Sequence, residues 1–269
     1  MERIDKPILP VLFVQNSHEG PGTFLEVVMQ NQLPWLSINA SRKDHQGILQ
    51  LIDISKLGAI VLLGGPPSAN DGPQSDAPWM VDQVKMVQSA MCRRDPIPSF
   101  GTCLGMQVIG KAAGAEIVPA TSKEVGMFDY SKEGAPYSVK ITDAGLTDPL
   151  LKGVGDKIDH IFHLHGEMVQ PKESSSLEVL GEGEGTPIQI IRFKKAVGFQ
   201  GHLEVSPGLV AEWMYRHQDP DLRSLNNKRL IDLQQELQKQ RHYLARTATL
   251  VFSNFLRQAG YNIPKSEAA

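Results

Sequence analysis

The chain has 269 residues, with 27 Lys or Arg and 30 Asp or Glu, so its formal net charge is −3. A nearly neutral chain without a basic block argues against a dedicated nucleic-acid-binding protein, because such proteins neutralise phosphates with clustered cations. Its two cysteines, Cys92 and Cys103, are too few for a disulfide framework or a four-thiolate zinc site. No apolar run reaches the roughly 18 residues that span a bilayer, and residues 8–14 lack a signal-peptide cleavage site. We therefore expect a cytoplasmic protein that binds neither nucleic acid nor membranes.

The first hundred residues alternate between short apolar runs and helical patterns. The runs predict strands over residues 8–14, 59–63 and 96–100 and helices over residues 23–31, 78–91 and 104–113. Strands that alternate with helices indicate crossover connections and a parallel sheet covered on both faces. The predicted fold class is therefore α/β, with an open, mostly parallel, doubly wound sheet.

The middle of the chain is richer in strands. Strand-like runs cover residues 137–142, 158–165, 177–181, 188–193 and 196–199. They fit the later strands of the sheet together with a small β excursion at its edge. The glycine-rich run at residues 181–185 lacks the full spacing of a phosphate loop and a following helix, so it predicts a hairpin turn.

The last segment, residues 219–261, is polar and helical. Its apolar side chains recur at three-, four- and seven-residue steps, at Leu230, Leu233, Leu237, Leu244, Val251 and Phe255. One such stripe predicts a terminal helix or helix pair docked on the domain, with a partner or dimer interface as the alternative. We expect one domain over residues 1–215 and a helical C-terminal extension over residues 216–269 packed on it.

The most informative segment is the end of the third predicted strand, where Cys103 begins a helical pattern. Gly101 and Gly105 flank the cysteine, in the same form as the Gly-x-Ser-x-Gly nucleophile elbow. At a helix N-terminus a thiolate is favoured by free N–H groups and the helix dipole, and the N–H of Leu104 can face a developing oxyanion. The alternative is a buried structural cysteine, the commonest fate of a free thiol and the role we expect for Cys92.

A thiol nucleophile needs a base, and the base needs an orienting group. His202 and Glu204 follow the last predicted strand, and in extended backbone two side chains at this spacing project to the same side. A solvated loop also explains this pair. Gly64 and Gly65 follow the second predicted strand and permit a backbone N–H to approach a substrate carbonyl, or simply form a tight turn. All three segments follow predicted parallel strands, where the sites of open α/β sheets gather.

Three segments together resemble the signature blocks of class I glutamine amidotransferases: residues 64–68 (GGPPS), 101–107 (GTCLGMQ) and 198–204 (GFQGHLE). The chain is most similar to stand-alone proteins that resemble the glutaminase domain of GMP synthase, from about residue 11 to residue 207. Residues 123–126 and 163–167 match further landmarks that border the pocket in this family. The resemblance implies a flavodoxin-like fold and a reaction that requires no cofactor.

The resemblance also implies roles for individual residues. Cys103 would be the nucleophile, His202 the general base and acid, and Glu204 the residue that orients His202. The oxyanion hole would consist of the backbone N–H groups of Gly65 and Leu104.

Two further residues, Gln107 and His165, would lie at the substrate in this family. A histidine cluster needs separate consideration, because on a strand His163, His165 and Glu167 share one face and could bind a divalent metal, with His160 nearby. Lining of the pocket, or an ordinary core or solvated role, is the alternative. The implied chemistry needs no metal, and we expect none here.

The chain departs from the family pattern at three positions. Thr102 stands where the family usually has isoleucine, and Gly201 and Leu203 replace the aromatic residue and the proline of Gln-Phe-His-Pro-Glu. These changes keep His202 and Glu204, but we expect them to loosen the support of both side chains and to affect substrate choice and rate.

The implied reaction releases ammonia from the side chain of glutamine through a γ-glutamyl thioester. About sixty residues follow residue 207, too few for a synthetase domain. We therefore expect the ammonia to pass to a separate synthetase subunit, or the enzyme to be a γ-glutamyl peptidase or hydrolase with water as acceptor. A non-catalytic regulatory interaction protein that uses its polar C-terminal helix, or a homodimer, are further alternatives.

Overall fold

The computed structural model describes residues 7–45, 47–129, 134–217 and 219–264. Its strands are β1 (Val11–Gln15), β2 (Trp35–Asn39), β3 (Ala59–Leu62), β4 (Ser99–Thr102), β5 (Glu116–Gly126), β6 (Phe128–Asp129), β7 (Ala135–Pro136), β8 (Ser138–Ile141), β9 (Lys157–Asp159), β10 (His163–Gln170), β11 (Glu178–Glu182), β12 (Ile188–Phe193) and β13 (Ala196–Phe199). Its α-helices are α1 (Gly22–Gln30), α2 (Ile48–Leu51), α3 (Trp79–Met91), α4 (Leu104–Ala112), α5 (Asp143–Thr147), α6 (Pro207–Ala211), α7 (Pro220–Arg223) and α8 (Asn227–Gln258).

The central sheet has the strand order β2-β1-β3-β4-β13-β12-β11-β8-β9. The first five strands run parallel, and their order is that of a flavodoxin-like sheet. The other four strands pair antiparallel and extend the sheet at one edge. The predicted open α/β sheet is confirmed, and its parallel half carries the strand ends where the candidate residues lie.

Helices cover both faces of the parallel half. Along β1 the side chains alternate, so that Val11 and Phe13 pack in the core beneath α1 and α8, whereas Leu12 and Val14 pack beneath α3 and α4. Full burial of one such aliphatic or aromatic side chain stabilises the fold by about 1.5–3 kcal/mol. The alternation in this strand therefore generates the doubly wound arrangement.

The C-terminal helix α8 lies against the rest of the described chain along its whole length. The predicted stripe faces inward: Leu230 is half-buried and the other members are buried. Leu233, Leu237 and Leu244 join a cluster with Phe162 and Trp213, and Val251 joins the core of the sheet. The stripe is covered by its own chain, so the alternative that it forms a partner interface is wrong.

Most predicted elements are confirmed, with ends shifted by up to three residues. The run at residues 181–185 leads into the hairpin between β11 and β12, as expected. The single strand expected over residues 158–165 is wrong, because His160 adopts a left-handed conformation (φ 54°) and separates β9 from β10. Strands β2 and β5 were not predicted. Within the described residues, no helix is long and apolar enough to cross a membrane.

Candidate active site

Cys103 occupies the turn between a strand and a helix. β4 ends at Thr102 and α4 begins at Leu104, and Cys103 between them has φ 51° and ψ −111°. A non-glycine residue held in such a region costs about 1–3 kcal/mol, and strain of this kind clusters at functional sites. The conformation agrees with the nucleophile elbow predicted from the glycine spacing.

The two glycines that flank the cysteine permit close packing of the elbow. A Cβ at Gly101 would overlap the backbone of Gly105, and a Cβ at Gly105 would overlap the carbonyl oxygen of Leu62 on the neighbouring strand β3. Only hydrogen fits at both positions. The Gly-x-Cys-x-Gly pattern is therefore a packing requirement of this turn.

His202 and Glu204 lie together beyond the end of β13. Nδ1 of His202 is 2.7 Å from a carboxylate oxygen of Glu204, and both side chains are fully buried. The backbone N–H of His202 donates to the carbonyl oxygen of Phe162 at 2.8 Å, and the rings of Phe162 and Trp213 pack edgewise against the imidazole. These contacts orient the ring from three sides.

Burial and neighbouring charges shift the pKa values of both reactive groups. Burial raises the pKa of the Cys103 thiol, although the His202 imidazole acts in the opposite direction. Burial would lower the pKa of His202, but the Glu204 carboxylate and the Cys103 thiol raise it well above its usual range. The backbone N–H of Leu104 lowers the pKa of the thiol, in the direction expected at a helix N-terminus, while burial raises it by more. Activation of the thiol by the His202 imidazole stays a prediction.

The two backbone groups expected to form an oxyanion hole lie at adjacent strand ends. Leu104 is the first residue of α4, where an N–H has no intrahelical acceptor, and this N–H lies beside the Cys103 sulfur. Gly65 follows β3, which pairs with β4 through Leu62 and Gly101. Both groups thus border the elbow, and their role in binding an oxyanion stays a prediction.

Strand β10 passes across the elbow. The thiol of Cys103 donates to the carbonyl oxygen of Leu164 at 3.5 Å. The side chain of Gln107 donates to the carbonyl oxygen of Glu167 at 3.0 Å, and Nδ1 of His165 lies 3.2 Å from the same oxygen. Gln107 on α4 therefore holds β10 beside the thiol, whereas the contact of His165 lies within β10; contact of either side chain with a substrate stays a prediction.

A second buried group of histidines and a carboxylate lies on β10 and β5. Nε2 of His165 is 2.8 Å from Glu124, and Nδ1 of His163 is 3.5 Å from the same carboxylate oxygen. Glu124 also accepts hydrogen bonds from the backbone N–H of Thr186 at 3.0 Å and from the Gln189 side chain at 3.3 Å. Both oxygens of this carboxylate therefore have a hydrogen-bond donor.

The pKa values of Glu124 and His163 are both lowered in this group. Burial would raise the pKa of Glu124, but the hydrogen bond from His165 and the other donors lower it to about 2. Burial lowers the pKa of His163 to about 3, so its imidazole is neutral near pH 7. His163 also borders a cavity of about 230 Å³.

The expected grouping of His163, His165 and Glu167 on one face is wrong. The β5–β10 pairing shifts register between His165 and Glu167, which turns the Glu167 carboxylate toward the hydroxyl of Ser68 at 3.0 Å. Glu124 takes its place, with donor atoms of the three side chains within 4.8 Å of one another. The hydrogen bonds of Glu124 account for this arrangement without a cation.

The positions that depart from the family pattern are compensated in the structure. The hydroxyl of Thr102 donates to the Glu204 carboxylate at 3.2 Å. A Cβ at Gly201 would lie 2.5 Å from the side chain of Ile161, which fills the space of a larger residue. Leu203 is buried. Thr102 therefore contacts the candidate triad, which its residue type did not indicate, and the effect of the three departures on substrate choice and rate stays a prediction.

One buried carboxylate near the triad was not predicted. Glu19 lies between β1 and α1, and its Oε2 is 3.9 Å from Nε2 of His202. Burial raises the pKa of Glu19 to about 7. Nothing in the loop sequence around it points to chemistry, since Gly-Pro-Gly after a polar residue is typical of an ordinary turn.

Comparisons with known proteins agree with this geometry. The sequence model of the family described as glutamine amidotransferase class-I matches residues 29–217. The glutamine amidotransferase-like protein YfeJ of Salmonella typhimurium is 32% identical over 176 residues, 64% of this chain and 66% of YfeJ. GMP synthase of Neisseria meningitidis is 30% identical over 112 residues, 41% of this chain and 19% of the synthase. The chain thus spans less than two thirds of these relatives.

The fold has solved counterparts as well. A glutamine amidotransferase from Thermotoga maritima has 17% identity to the chain and superposes with a TM-score of 0.76, over 93% of this chain and 99% of that one. At this level of identity the likeness concerns the fold.

Proposed function

Because the chain belongs to the class I glutamine amidotransferase family, we propose that it hydrolyses the side-chain amide of glutamine through a γ-glutamyl thioester on Cys103. One observation carries the proposal: the side chain of a cysteine with a positive φ contacts an imidazole that is hydrogen-bonded to a buried carboxylate. A nucleophile, a base and an orienting group in this order form the general arrangement of nucleophilic catalysis.

The first half of the reaction forms the thioester. The Cys103 thiol gives its proton to Nε2 of His202, and the sulfur attacks the side-chain amide carbon of glutamine. The backbone N–H groups of Gly65 and Leu104 bind the oxyanion, and loss of one such donor typically costs about 3–4 kcal/mol. As the intermediate collapses, the imidazolium protonates the departing ammonia.

The second half releases glutamate. His202 is then neutral and accepts a proton from water as the water attacks the thioester carbon. The carbon–sulfur bond breaks, glutamate leaves, and the thiolate recovers a proton. The Glu204 carboxylate beside Nδ1 stabilises the imidazolium that forms in each half.

The fate of the ammonia is a separate part of the proposal. Similarity to a GMP synthase supports transfer of ammonia to a synthetase subunit. Release to solvent would instead make the protein a free-standing glutaminase. Activity on γ-glutamyl peptides would move the assignment to a γ-glutamyl peptidase with the same residues.

The test is a substrate comparison with matched cysteine variants. Free glutamine, γ-glutamyl dipeptides and glutathione conjugates are offered to the wild type, with Cys103→Ala as the blank and Cys92→Ala as the control. Cys92 is exposed and lies outside the site, so its variant should keep wild-type turnover. We expect glutamine to be hydrolysed by the wild type and by Cys92→Ala only. Substantial turnover by Cys103→Ala would refute the proposal.

A further inference from the structure

The side chain of Glu19 reaches the imidazole of His202 on the side opposite Glu204. Only 5% of the Glu19 side chain is exposed. Its Oε2 is buried and has no hydrogen-bond partner among the described residues. Nε2 of His202 is buried as well and faces the Cys103 thiol, but no nitrogen or oxygen of the described residues bonds to it. Once the thiol has become a thioester, this nitrogen too is left without a partner. An unpaired buried polar atom costs about 1–3 kcal/mol, so the unpaired carboxylate oxygen beside this nitrogen requires an explanation.

The fold makes room for this carboxylate. A Cβ at Gly64 would overlap Oε2 of Glu19 and would lie 2.7 Å from the His202 ring. The first turn of α1, which directly follows the loop that carries Glu19, is fastened to the triad as well, because the backbone N–H of Thr23 donates to the carbonyl oxygen of Glu204 at 3.0 Å. Glu19 therefore lies between the turn at Gly64 and the imidazole of His202.

The separation of the two unpaired atoms fits one small bridging molecule. At 3.9 Å, Oε2 of Glu19 and Nε2 of His202 are too far apart for a direct hydrogen bond. A water that donates to both atoms at about 2.7–2.8 Å, through hydrogen bonds bent slightly from linear, spans roughly 4 Å between its two acceptors. The spacing therefore suits a water whose two protons point at these atoms and whose oxygen lone pair is free.

We propose that Glu19 and His202 together orient the water that hydrolyses the thioester on Cys103. The inference rests on the proposed function, and it gives Glu19 a role in the hydrolysis of the thioester that is separate from the role of Glu204. One proton of the water passes to Nε2 of His202 while its oxygen bonds to the thioester carbon, and the other proton remains hydrogen-bonded to Glu19. The carbon–sulfur bond then breaks, the electron pair returns to sulfur, and the imidazolium gives its proton to the thiolate.

The charges around Glu19 set the pH range of this role. The groups that face it are His202, Glu204 and Asp219, together with the Cys103 thiol. Burial raises the pKa of Glu19 to about 7, against the attraction of His202. The ionised carboxylate is the better acceptor for water, so thioester hydrolysis should accelerate as the pH rises through about 7.

The experiment compares Glu19→Gln with Glu26→Gln, an exposed position on the adjacent helix α1. Glutamine turnover, the acid-quenched level of γ-glutamyl thioester and the rate of Cys103 labelling by a γ-glutamyl electrophile are measured for each. In Glu19→Gln we expect turnover to fall about tenfold to a hundredfold, the thioester to accumulate, and labelling to stay unchanged. Hydroxylamine, a stronger nucleophile than water, should restore turnover, and Glu26→Gln should behave as wild type.

Glu19→Asp provides a second variant that keeps the charge but shortens the reach, and thioester should accumulate in it too. Slower labelling without accumulation in both variants, or unchanged turnover, would overturn the inference while the wild type still forms its thioester. If the wild type forms no thioester from glutamine, the proposed function fails, and this inference fails with it.

Discussion

The protein contains two buried groups in which histidine contacts a glutamate, and the groups differ in how many of their polar atoms have hydrogen-bond partners. The triad cluster is Cys103, His202 and Glu204, and the β10 cluster is Glu124, His163 and His165. The carboxylate of the β10 cluster accepts from two side chains and one backbone N–H. In the triad cluster, Oε2 of Glu204 has no partner among the described residues, and Nε2 of His202 faces the Cys103 thiol without a nitrogen or oxygen partner there.

We expect this difference in hydrogen bonding to separate a group that supports the fold from one that reacts. A buried network whose hydrogen bonds are all made rigidifies its surroundings. Unpaired buried polar atoms destabilise the fold, and each of them calls for an explanation such as a catalytic role. The pKa values follow the same division: Glu124 is held near 2, whereas the pKa of His202 is raised well above its usual range. We therefore expect changes in the triad cluster to reduce activity and changes in the β10 cluster to reduce stability.

The largest effect should follow loss of the triad imidazole. His202→Asn removes the base and acid, and we expect glutamine turnover to fall by about 10³-fold or more while the free energy of unfolding changes little. Ammonia release and urea unfolding measure the two quantities. His242→Asn, on the exposed side of α8, is the control and should retain full turnover. If His202→Asn instead lowers the free energy of unfolding and keeps its specific activity, the expected difference between the two clusters is contradicted.

The next effect tests the β10 cluster. Glu124→Gln places an amide NH₂ where several donors converge, and we expect about 1–3 kcal/mol lower free energy of unfolding. Glu116→Gln lies on the same strand, where its ion pair with Lys172 is half exposed, and should cost less than about 1 kcal/mol. Denaturant unfolding of both proteins gives the comparison. Equal stability of the two variants would contradict the structural role of Glu124.

Acid should unfold the protein partly through the same cluster. The pKa of His163 is lowered from 6.5 to about 3 and that of Glu124 from 4.5 to about 2, so over both ranges the unfolded chain binds more protons than the folded one. Stability is then present above about pH 6.5 and falls as the pH drops toward 3, by at most about 1.4 kcal/mol per pH unit for each proton.

Unfolding measured across this pH range should show a shallower slope below pH 4.5 for Glu124→Gln than for wild type. Stability that stays constant from pH 6.5 to 3 in the wild type would be the contrary result.

The smallest effect concerns Thr102. Thr102→Val keeps the shape but removes the hydrogen bond to Glu204, which should cost about 0.5–1.5 kcal/mol, or roughly two- to tenfold in kcat/KM. Ser99→Ala on the same strand removes a buried hydroxyl that bonds only to its local backbone, and it should leave kcat/KM unchanged. If both variants lose equal activity, the hydroxyl of Thr102 has no specific part in orienting Glu204.

The elbow and the base were predictable because local sequence determines them. The glycines beside Cys103 are required by backbone contacts within the turn, and His202 and Glu204 lie only two residues apart. Glu19 and Glu124 could not be found in this way. Each reaches its histidine from a distant part of the chain, and nothing in its own neighbourhood distinguishes it from a surface glutamate.

The same distinction holds for the fold. Strands buried on both faces, such as β3 and β13, are continuous apolar runs and were predicted within one residue. β2 is an edge strand with its first three residues exposed, and β5 carries polar residues and a proline, so neither shows an apolar pattern. Their pairing partners, rather than their own side chains, determine that they are strands.

The most direct test of the account is the site at which a γ-glutamyl electrophile reacts with the wild-type protein. Cys92 is exposed and Cys103 is 4% exposed, so simple accessibility favours Cys92. We predict that peptide mapping will find the adduct on Cys103, that glutamine will protect against it, and that His202→Asn will abolish it. An adduct confined to Cys92, or none at Cys103, would contradict the central claim that Cys103 is an activated nucleophile.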